Sequence, residues 1–329
     1  MTRPTAFLLR LLSFAALVSV SAARADAVPD FPTRPVTVIT PFAAGSGPDA
    51  VMRLVAEKLA RRWNQRVLIE NKPGGAGFLA IDAARRAPQD GYTLLQLDSE
   101  HMAALPHLYK SKGFSPFATF EPVAALFRTP FFIAVPANSP WRSVGDLVAA
   151  AKAKPNGISY GSWGVGTPAH LGAQQLEMLS GLNMLHIPFR EVGQLYSSVA
   201  TGEVSWAFGT LPSSRGVYET GKLRYLAVAA PRRVPQMPQV PTVAEAGGPQ
   251  ELNFNGFVVL VAPKGINPAL AARINVDVVA ALGDPDVKAQ YNTFAFEALD
   301  WSAANVRQEV EARSNLYRRL IERGNIRLD

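Results

Sequence analysis

The chain contains no cysteine among its 329 residues. This absence excludes disulfide bonds, thiol catalysis, cysteine-ligated zinc and a lipid anchor on an N-terminal cysteine. Long hydrophobic runs are also scarce: Phe7 to Val20 is largely apolar, but Arg10 interrupts it. That run is too short for a membrane-spanning helix, which needs about 20 apolar residues. No second long apolar segment follows, so we expect a soluble mature chain.

The first 25 residues have the features of an export signal. Arg3 supplies a positive start, the apolar run follows, and Ala23-Arg24-Ala25 forms a small-x-small cleavage site. An uncleaved anchor is the alternative. We predict that residues 1–25 are a signal peptide and that the product is periplasmic and free of lipid.

Basic residues are neither in large excess nor clustered. The chain has 33 Lys and Arg against 26 Asp and Glu, and removing Arg3, Arg10 and Arg24 leaves 30 against 26. The remainder are spread along the chain, with only short pairs such as Arg61-Arg62. A nucleic-acid surface needs a basic cluster, so no nucleic-acid partner is predicted.

Motifs of catalysis and metal binding are missing as well. The histidines show neither the HExxH pattern nor i, i+4 spacing, and no serine lies in a GxSxG motif. Gly164 to Ala169 matches the GxGxxA dinucleotide fingerprint, but the acidic residue expected about 20 positions later is absent. We predict no catalytic activity, no metal and no cofactor.

The chain does contain a repeated alternation of strand-like and helix-like segments. Val36 to Thr40 predicts a strand, a small-residue loop follows, and a helix is predicted from Gly47, with Pro48 at its first position. The next segments predict a second and a third strand, which favours a βαβαβ unit with a mostly parallel sheet. Asp49 either stabilises the helix dipole or contacts a ligand.

A second unit repeats this opening. Ile158 to Gly161 predicts a strand, Ser162 to Gly166 a glycine-rich loop, and Thr167 and Pro168 the start of another helix. A third segment, Asp300 to Arg323, predicts an amphipathic helix on the outside. About 300 residues exceed the usual size of a single core, so two α/β lobes are expected. Unpaired N–H groups at helix starts on both sides of a cleft suit a small anion.

Nine segments, in order, resemble the periplasmic receptors of tripartite tricarboxylate transporters, the Bug-type or TctC-like receptors. They are FPTRPVTVITPFAAGSGPD, VLIENKPGGAG, APQDGYTLL, FEPVAAL, VPANSPWRSVGDLVAAAKAKP, HIPFRE, GKLRYLAVAAPRR, VPTVAEAG and VLVAPKG. The resemblance implies a type II periplasmic-binding-protein fold with a ligand cleft and a hinge. It places lobe 1 at residues 26–128 and 250–329 and lobe 2 at residues 129–249.

The resemblance also implies a function. The protein would be a monomeric receptor that captures a small organic carboxylate and delivers it to the permease subunits of a tripartite transporter. A receptor for a membrane sensor kinase is the first alternative, and a secreted enzyme on the same fold is the second.

Carried over by position, the resemblance implies ligand-binding residues in both lobes. They are Phe42, Ala43, Ala44, Gly45, Ser46, Ser99, His101, Ser162, Gly164, Gly166, Thr167, His170, Arg190, Gly209 and Thr210. His170 either hydrogen-bonds the ligand or fixes its loop, and Arg190 either pairs with a distal carboxylate or forms a surface salt bridge. Gly209 replaces an Asp common in the family, which argues against amino-acid ligands and favours a carboxylate without an amine, with an aromatic body as one option.

Overall fold

The computed structural model describes residues 30–329, which form two α/β units, each built on its own sheet. The predicted signal peptide lies outside the described residues. None of the helices between residues 30 and 329 combines the length and hydrophobicity of a membrane span.

The strands and helices are numbered here in chain order. The strands are β1 (Val36–Thr40), β2 (Val67–Asn71), β3 (Thr93–Asp98), β4 (Phe120–Pro130), β5 (Phe132–Pro136), β6 (Ser159–Ser162), β7 (Leu185–Pro188), β8 (Trp206–Gly209), β9 (Leu223–Val228), β10 (Asn255–Pro263) and β11 (Glu297–Ala298). The α-helices are α1 (Gly47–Trp63), α2 (Phe78–Ala84), α3 (Ser99–Ala103), α4 (Leu105–Leu108), α5 (Pro116–Thr119), α6 (Val144–Ala153), α7 (Pro168–Ser180), α8 (Val192–Thr201), α9 (Leu211–Tyr218), α10 (Pro268–Leu282), α11 (Pro285–Phe294) and α12 (Ala303–Arg323).

The first sheet has the strand order β11-β4-β10-β3-β1-β2. The predicted parallel part is confirmed, because β1 pairs in parallel with both β2 and β3. The long central strand β10 is antiparallel to its neighbours β3 and β4. Prediction missed β4, whose sequence contains prolines at Pro122 and Pro130 and charges at Glu121 and Arg128. Such residues are depleted in interior strands, so the low β-propensity of this segment did not favour a strand at β4.

The second sheet has the order β7-β6-β8-β5-β9. β6 is parallel to β7 and β8, whereas β5 is antiparallel to β8 and β9. In both sheets a helix starts just beyond the carboxyl end of a parallel strand: α1 follows β1, and α7 follows β6. Ligands of open α/β sheets collect at such ends.

The chain passes between the two sheets at two adjacent points. It leaves the first sheet at Pro130 and enters the second at Phe132, and it returns through the segment that ends at Phe254. The rings of Phe131 and Phe254 pack edge to face with their centroids 5.3 Å apart. The N–H of Ala229 also donates to the carbonyl of Phe131, and the N–H of Phe254 donates to the carbonyl of Ala229. Two crossings held side by side have the geometry of a hinge.

The C-terminal helix α12 joins both units. Its predicted helical conformation is confirmed, and its apolar face is buried, with Tyr317 fully inaccessible. It packs against α3 and β4 of the first unit and also against α7 of the second. The helix therefore spans the two units and does more than cover the outside of one of them.

Candidate ligand-binding site

A cavity of about 240 Å³ lies between the two units. The first unit supplies Phe42, Ala76 and the α3–α4 region, and the second supplies the loop before α7. The lining residues are Phe42, Ala76, Asp98, Glu100, His101, Ala104, Leu105, Leu108, Tyr109, Trp163, Val165, Gly166, Thr167, Pro168 and Leu328.

The loop from Phe42 to Ser46 is organised by the buried carboxylate of Asp49. Asp49 accepts hydrogen bonds from the N–H of Gly45, at 2.8 Å, and from the side chains of Asn71 and Arg53. Burial favours the neutral acid, but these hydrogen bonds outweigh it and lower the pKa of Asp49. Asp49 is thus an ionised residue that shapes the loop. Its place in the first turn of α1 agrees with the predicted stabilisation of the helix dipole, and its hydrogen bonds to the loop are an additional role that the sequence did not predict.

The hydrogen bonds of this loop decide which of its N–H groups remain for a ligand. Gly45 donates to Asp49, Ser46 to the Ala43 carbonyl, and Phe42 to the Thr40 hydroxyl. Within residues 30–329, no acceptor engages the N–H groups of Ala43 and Ala44, which are exposed. Fewer N–H groups of this loop are therefore free to bind an anion than the sequence indicated.

The two helix starts beside the cleft lack a side-chain cap. Ser46 precedes α1, and its buried Oγ has no hydrogen-bond partner among the described residues. Thr167 precedes α7, but its Oγ1 donates to the Gly164 carbonyl, at 2.6 Å. Side chains cap α3, α6, α9, α10, α11 and α12, whereas α2, α4, α5 and α8 resemble α1 and α7 in lacking a side-chain cap. Uncapped first-turn N–H groups are available to an anion, and the helix dipole favours one there.

The loop from Ser162 to Thr167 is held from below by two stacked histidines. His170 Nδ1 accepts a hydrogen bond from the N–H of Gly166 at 2.9 Å, and His186 Nε2 lies 2.7 Å from Ser162 Oγ. The two imidazole rings are nearly parallel, with centroids 3.9 Å apart. Of the two roles predicted for His170, the structure favours fixing the loop, because its Nδ1 is occupied and its side chain is buried.

Both histidines are held in the neutral form. Burial lowers the pKa of His170 to about 3, and the adjacent His186 adds to this effect. Burial likewise lowers the pKa of His186 to about 4. A neutral ring is what the geometry requires, since Nδ1 of His170 can accept the Gly166 N–H only when it carries no proton.

On the opposite wall, His101 forms a pair with Asp98. Its Nδ1 lies 2.5 Å from Asp98 Oδ1, and its ring packs edge to face with Phe42, with centroids 5.9 Å apart. Burial opposes a charge on the imidazole, but the charge and hydrogen bond of Asp98 outweigh burial and raise the pKa of His101. The Nε2 edge of the ring lies against Gly77, where an added Cβ would come within 2.4 Å of Nε2, so the chain itself covers this side of His101.

A second buried acid, Glu100, connects the cavity to α12. Its carboxylate accepts hydrogen bonds from Ser99 Oγ at 2.7 Å and from the Tyr317 hydroxyl at 2.6 Å. Burial, together with the negative charge of Asp98, raises the pKa of Glu100 to about 7. Arg313, one turn before Tyr317, donates to the side chain of Asn255 at 3.2 Å, next to the hinge.

The two units approach each other on both sides of the cavity. A Cβ placed on Gly166 would lie 2.6 Å from Leu108 Cδ1 in α4. A Cβ placed on Gly47, at the start of α1, would lie 3.4 Å from Pro212 Cγ in α9. Both glycines therefore sit where the units are in near contact, and their lack of a side chain permits the approach.

Comparison with known proteins identifies the family. The model of the tripartite tricarboxylate transporter family receptor, TctC, matches residues 51–326. The chain belongs to this receptor family. Among curated relatives, the receptor is 32% identical over 282 residues to a UPF0065 protein from the tcbD–tcbE intergenic region of Pseudomonas sp. strain P51. That alignment covers 84% of this chain and 82% of the relative.

Solved structures support the same assignment. The receptor superimposes with a TM-score of 0.79 on Rpa4515 of Rhodopseudomonas palustris, solved with adipate, at 28% identity. It also superimposes at 0.76 on the periplasmic binding protein BugD, at 26% identity. Both alignments cover 91% of this chain and 100% of the other. MatC of the same R. palustris, solved with malate, gives 0.76 at 25% identity over 88% of this chain and 100% of MatC. The predicted two-lobed periplasmic-binding fold is confirmed.

The structure brings only part of the predicted ligand set of this receptor to the cavity. Phe42, His101, Gly166 and Thr167 line it. Trp163, between the predicted Ser162 and Gly164, also lines it and stacks on Phe131 of the hinge.

Other predicted ligand residues lie outside the cavity wall. They are Ala43, Ala44, Gly45, Ser46, Ser99, Ser162, Gly164, His170, Arg190, Gly209 and Thr210. The Ser99 hydroxyl is fully buried and donates to Glu100, and Ser162 is buried beneath its own loop. Thr210 caps α9. Arg190 is exposed, and no ion pair among residues 30–329 includes it, so its predicted surface salt bridge is not observed and its contact with a ligand carboxylate stays a prediction.

The predicted set omitted most of the apolar wall. Leu105, Leu108 and Tyr109 come from a segment with no motif, and Leu328 reaches the cavity from the end of the chain. The N–H of Leu328 donates to the Leu108 carbonyl, which holds the two segments together. No local pattern links residues so far apart, and only the fold joins them.

Proposed function

We propose that this protein is an extracytoplasmic receptor that holds one small organic carboxylate between its two lobes and delivers it to a tripartite tricarboxylate-type membrane transporter. The observation that carries the proposal is the pair of uncapped helix starts, α1 and α7, on opposite sides of one cleft. Backbone N–H groups bind and orient an anion without catalysing a reaction of it. The adipate and malate of its structural neighbours are ligands of this class.

We infer that two loops, one in each lobe, hold the ligand. The loops Phe42–Ser46 and Ser162–Thr167 approach the ligand from opposite lobes, and α7 offers the first-turn N–H groups of Ala169 and His170, which precede its first intrahelical hydrogen bond. We place lobe 2 near residues 129–249, with the rest of the mature chain in lobe 1. The change of sheet at Phe131 supports the first of these boundaries.

Closure of the two lobes would then distinguish loaded receptor from empty receptor. The lobes meet through Gly47 and Gly166, so a ligand between them would shift the population toward the closed form. A permease that recognises the closed surface would accept loaded receptor in preference to empty receptor. This delivery step and the periplasmic location follow the family assignment.

A thermal-shift screen tests the proposal directly. Purified receptor is incubated with a panel of small carboxylates and with the methyl ester of each as a matched uncharged control. At least one carboxylate should raise the melting temperature by mass action, and its ester should not. Unchanged melting temperatures across the panel, together with turnover of any panel compound, would favour the secreted-enzyme alternative.

Delivery needs a separate measurement. Cells lacking the gene should lose uptake of the radiolabelled ligand, and uptake should return with the wild-type receptor. Normal uptake in the deletion strain, with loss of a transcriptional response to the ligand, would favour the sensor-kinase alternative.

A further inference from the structure

The walls of the cavity are mainly apolar. Most lining side chains are aliphatic or aromatic: Phe42, Ala76, Ala104, Leu105, Leu108, Trp163, Val165, Pro168 and Leu328. Leu105 and Leu108 are buried, and Val165 lies at the open rim. Such walls gain free energy from covering an apolar ligand body, and they leave a second ionised group without a partner.

The charges at the cavity do not favour two anionic groups. Among residues 30–329, no lysine or arginine lines it, and the one basic side chain in its wall, His101, is paired with Asp98. Glu100 is a second acid in the same wall. The wall therefore presents two carboxyl groups, Asp98 and Glu100, and a histidine that is already paired with one of them. A second ligand carboxylate would be repelled by these acids more strongly beside a partly buried wall than in bulk water.

The backbone offers one place for an anion beside the cavity, at the start of α7, where the helix lacks a side-chain cap. In the wall itself, the Gly166 N–H donates to His170 Nδ1, the Thr167 N–H donates to the Gly164 carbonyl, and Pro168 has no N–H. The donors that remain are the first-turn N–H groups of Ala169 and His170, directly behind the wall. These two groups match one carboxylate and leave a second one without a backbone donor.

From these walls, charges and donors we infer that the receptor selects monocarboxylates with an apolar body over dicarboxylates of the same length. The inference rests on the proposed carboxylate-receptor function and specifies its ligand class. Rpa4515 and MatC were solved with dicarboxylates, so a difference from these neighbours is expected. A cavity of 240 Å³ is near the small end of ligand pockets, which span about 300–1,000 Å³, and it suits a single ring or a short chain.

Three acids built on a six-carbon chain separate charge from size. Hexanoate has one carboxylate, adipate has two, and monomethyl adipate keeps the length and carbonyl groups of adipate with one charge. By calorimetry at pH 7.5, hexanoate and monomethyl adipate should each bind at least about tenfold more tightly than adipate. Adipate binding equal to or tighter than that of monomethyl adipate would refute the inference while leaving the carboxylate-receptor function intact. If neither these three acids nor the wider carboxylate panel binds, the proposed function fails as well.

A pair of variants tests whether the wall charge causes the selectivity. Val165 lines the cavity and is 38% exposed, so Val165→Lys can be accommodated at the rim. It should reduce the preference for monomethyl adipate over adipate by about tenfold. Val276→Lys, at an exposed valine of α10 outside the cavity, is the matched control and should keep the wild-type ratio. An unchanged ratio in Val165→Lys would show that side-chain charge does not set the selectivity.

Discussion

The stacked histidines beneath the ligand loop predict a loss of stability in mild acid. The pKa of His170 falls from 6.5 in the unfolded chain to about 3 in the folded protein. Below pH 6.5, His170 therefore binds a proton in the unfolded state but stays neutral in the folded state. The stabilisation is complete above pH 6.5 and is lost as the pH falls toward the folded-state value.

The magnitude follows from this linkage. For His170 alone, lowering the pH from 7 to 5 should reduce the free energy of unfolding by about 2 kcal/mol. His186, with a pKa lowered to about 4, adds to the loss, but less than its shift suggests because its ring is only partly buried and solvent screens it. The measurement is urea unfolding followed by circular dichroism at both pH values.

His170→Asn isolates the effect. The amide oxygen of Asn can still accept the Gly166 N–H but cannot titrate, so the variant should lose about 2 kcal/mol less than wild type between pH 7 and 5. His107→Asn, outside the stacked pair, is the control and should keep most of the wild-type pH dependence. Equal losses in wild type and His170→Asn would refute the reasoning.

Two further predictions concern closure and the buried acid. Gly166→Ala and Gly181→Ala both place a side chain at positive φ, which should cost each about 1–2 kcal/mol of stability. Only the first meets Leu108, since no atom lies within 4 Å of the Cβ position at residue 181. Ligand affinity measured by calorimetry should therefore fall at least about tenfold in Gly166→Ala alone, and equal affinities would contradict the closure geometry. Burial raises the pKa of Glu100 from 4.5 to about 7, so ionisation destabilises the fold as the pH rises through this range. Raising the pH from 5 to 8 should therefore change the free energy of unfolding more favourably in Glu100→Gln than in wild type, where the loss from Glu100 opposes the gain from the stacked histidines. Equal changes by urea unfolding would rule out Glu100 as the source.

The elements that begin with local signals were predictable from the sequence. The start of α1 is marked by Gly47 and Pro48, and that of α7 by Thr167 and Pro168, and both helices begin there. These signals act within one turn, so they do not depend on the rest of the fold. The same holds for α10, which begins at Pro268.

The composition of the site was less predictable because it depends on distant partners. The loss of the Gly45 N–H as a ligand donor requires Asp49 to turn back toward it, and the sequence also allowed Asp49 to contact ligand. The cavity wall joins Leu108 to Leu328, which share no pattern. Strand β4 was missed for a related reason, since its prolines and charges are tolerated only through its pairing with β10.

The position of β10 has a consequence for the order of folding. This strand lies between β3 and β4 in the first sheet, yet residues 131–254 separate it from β4 in the chain. The second sheet, in contrast, is built from one continuous segment, Phe132 to Val228. Closing long loops slows folding, so lobe 2 can form while the facing edges of β3 and β4 are still unpaired. Until β10 is inserted, those two edges are the places where the chain is most exposed to aggregation.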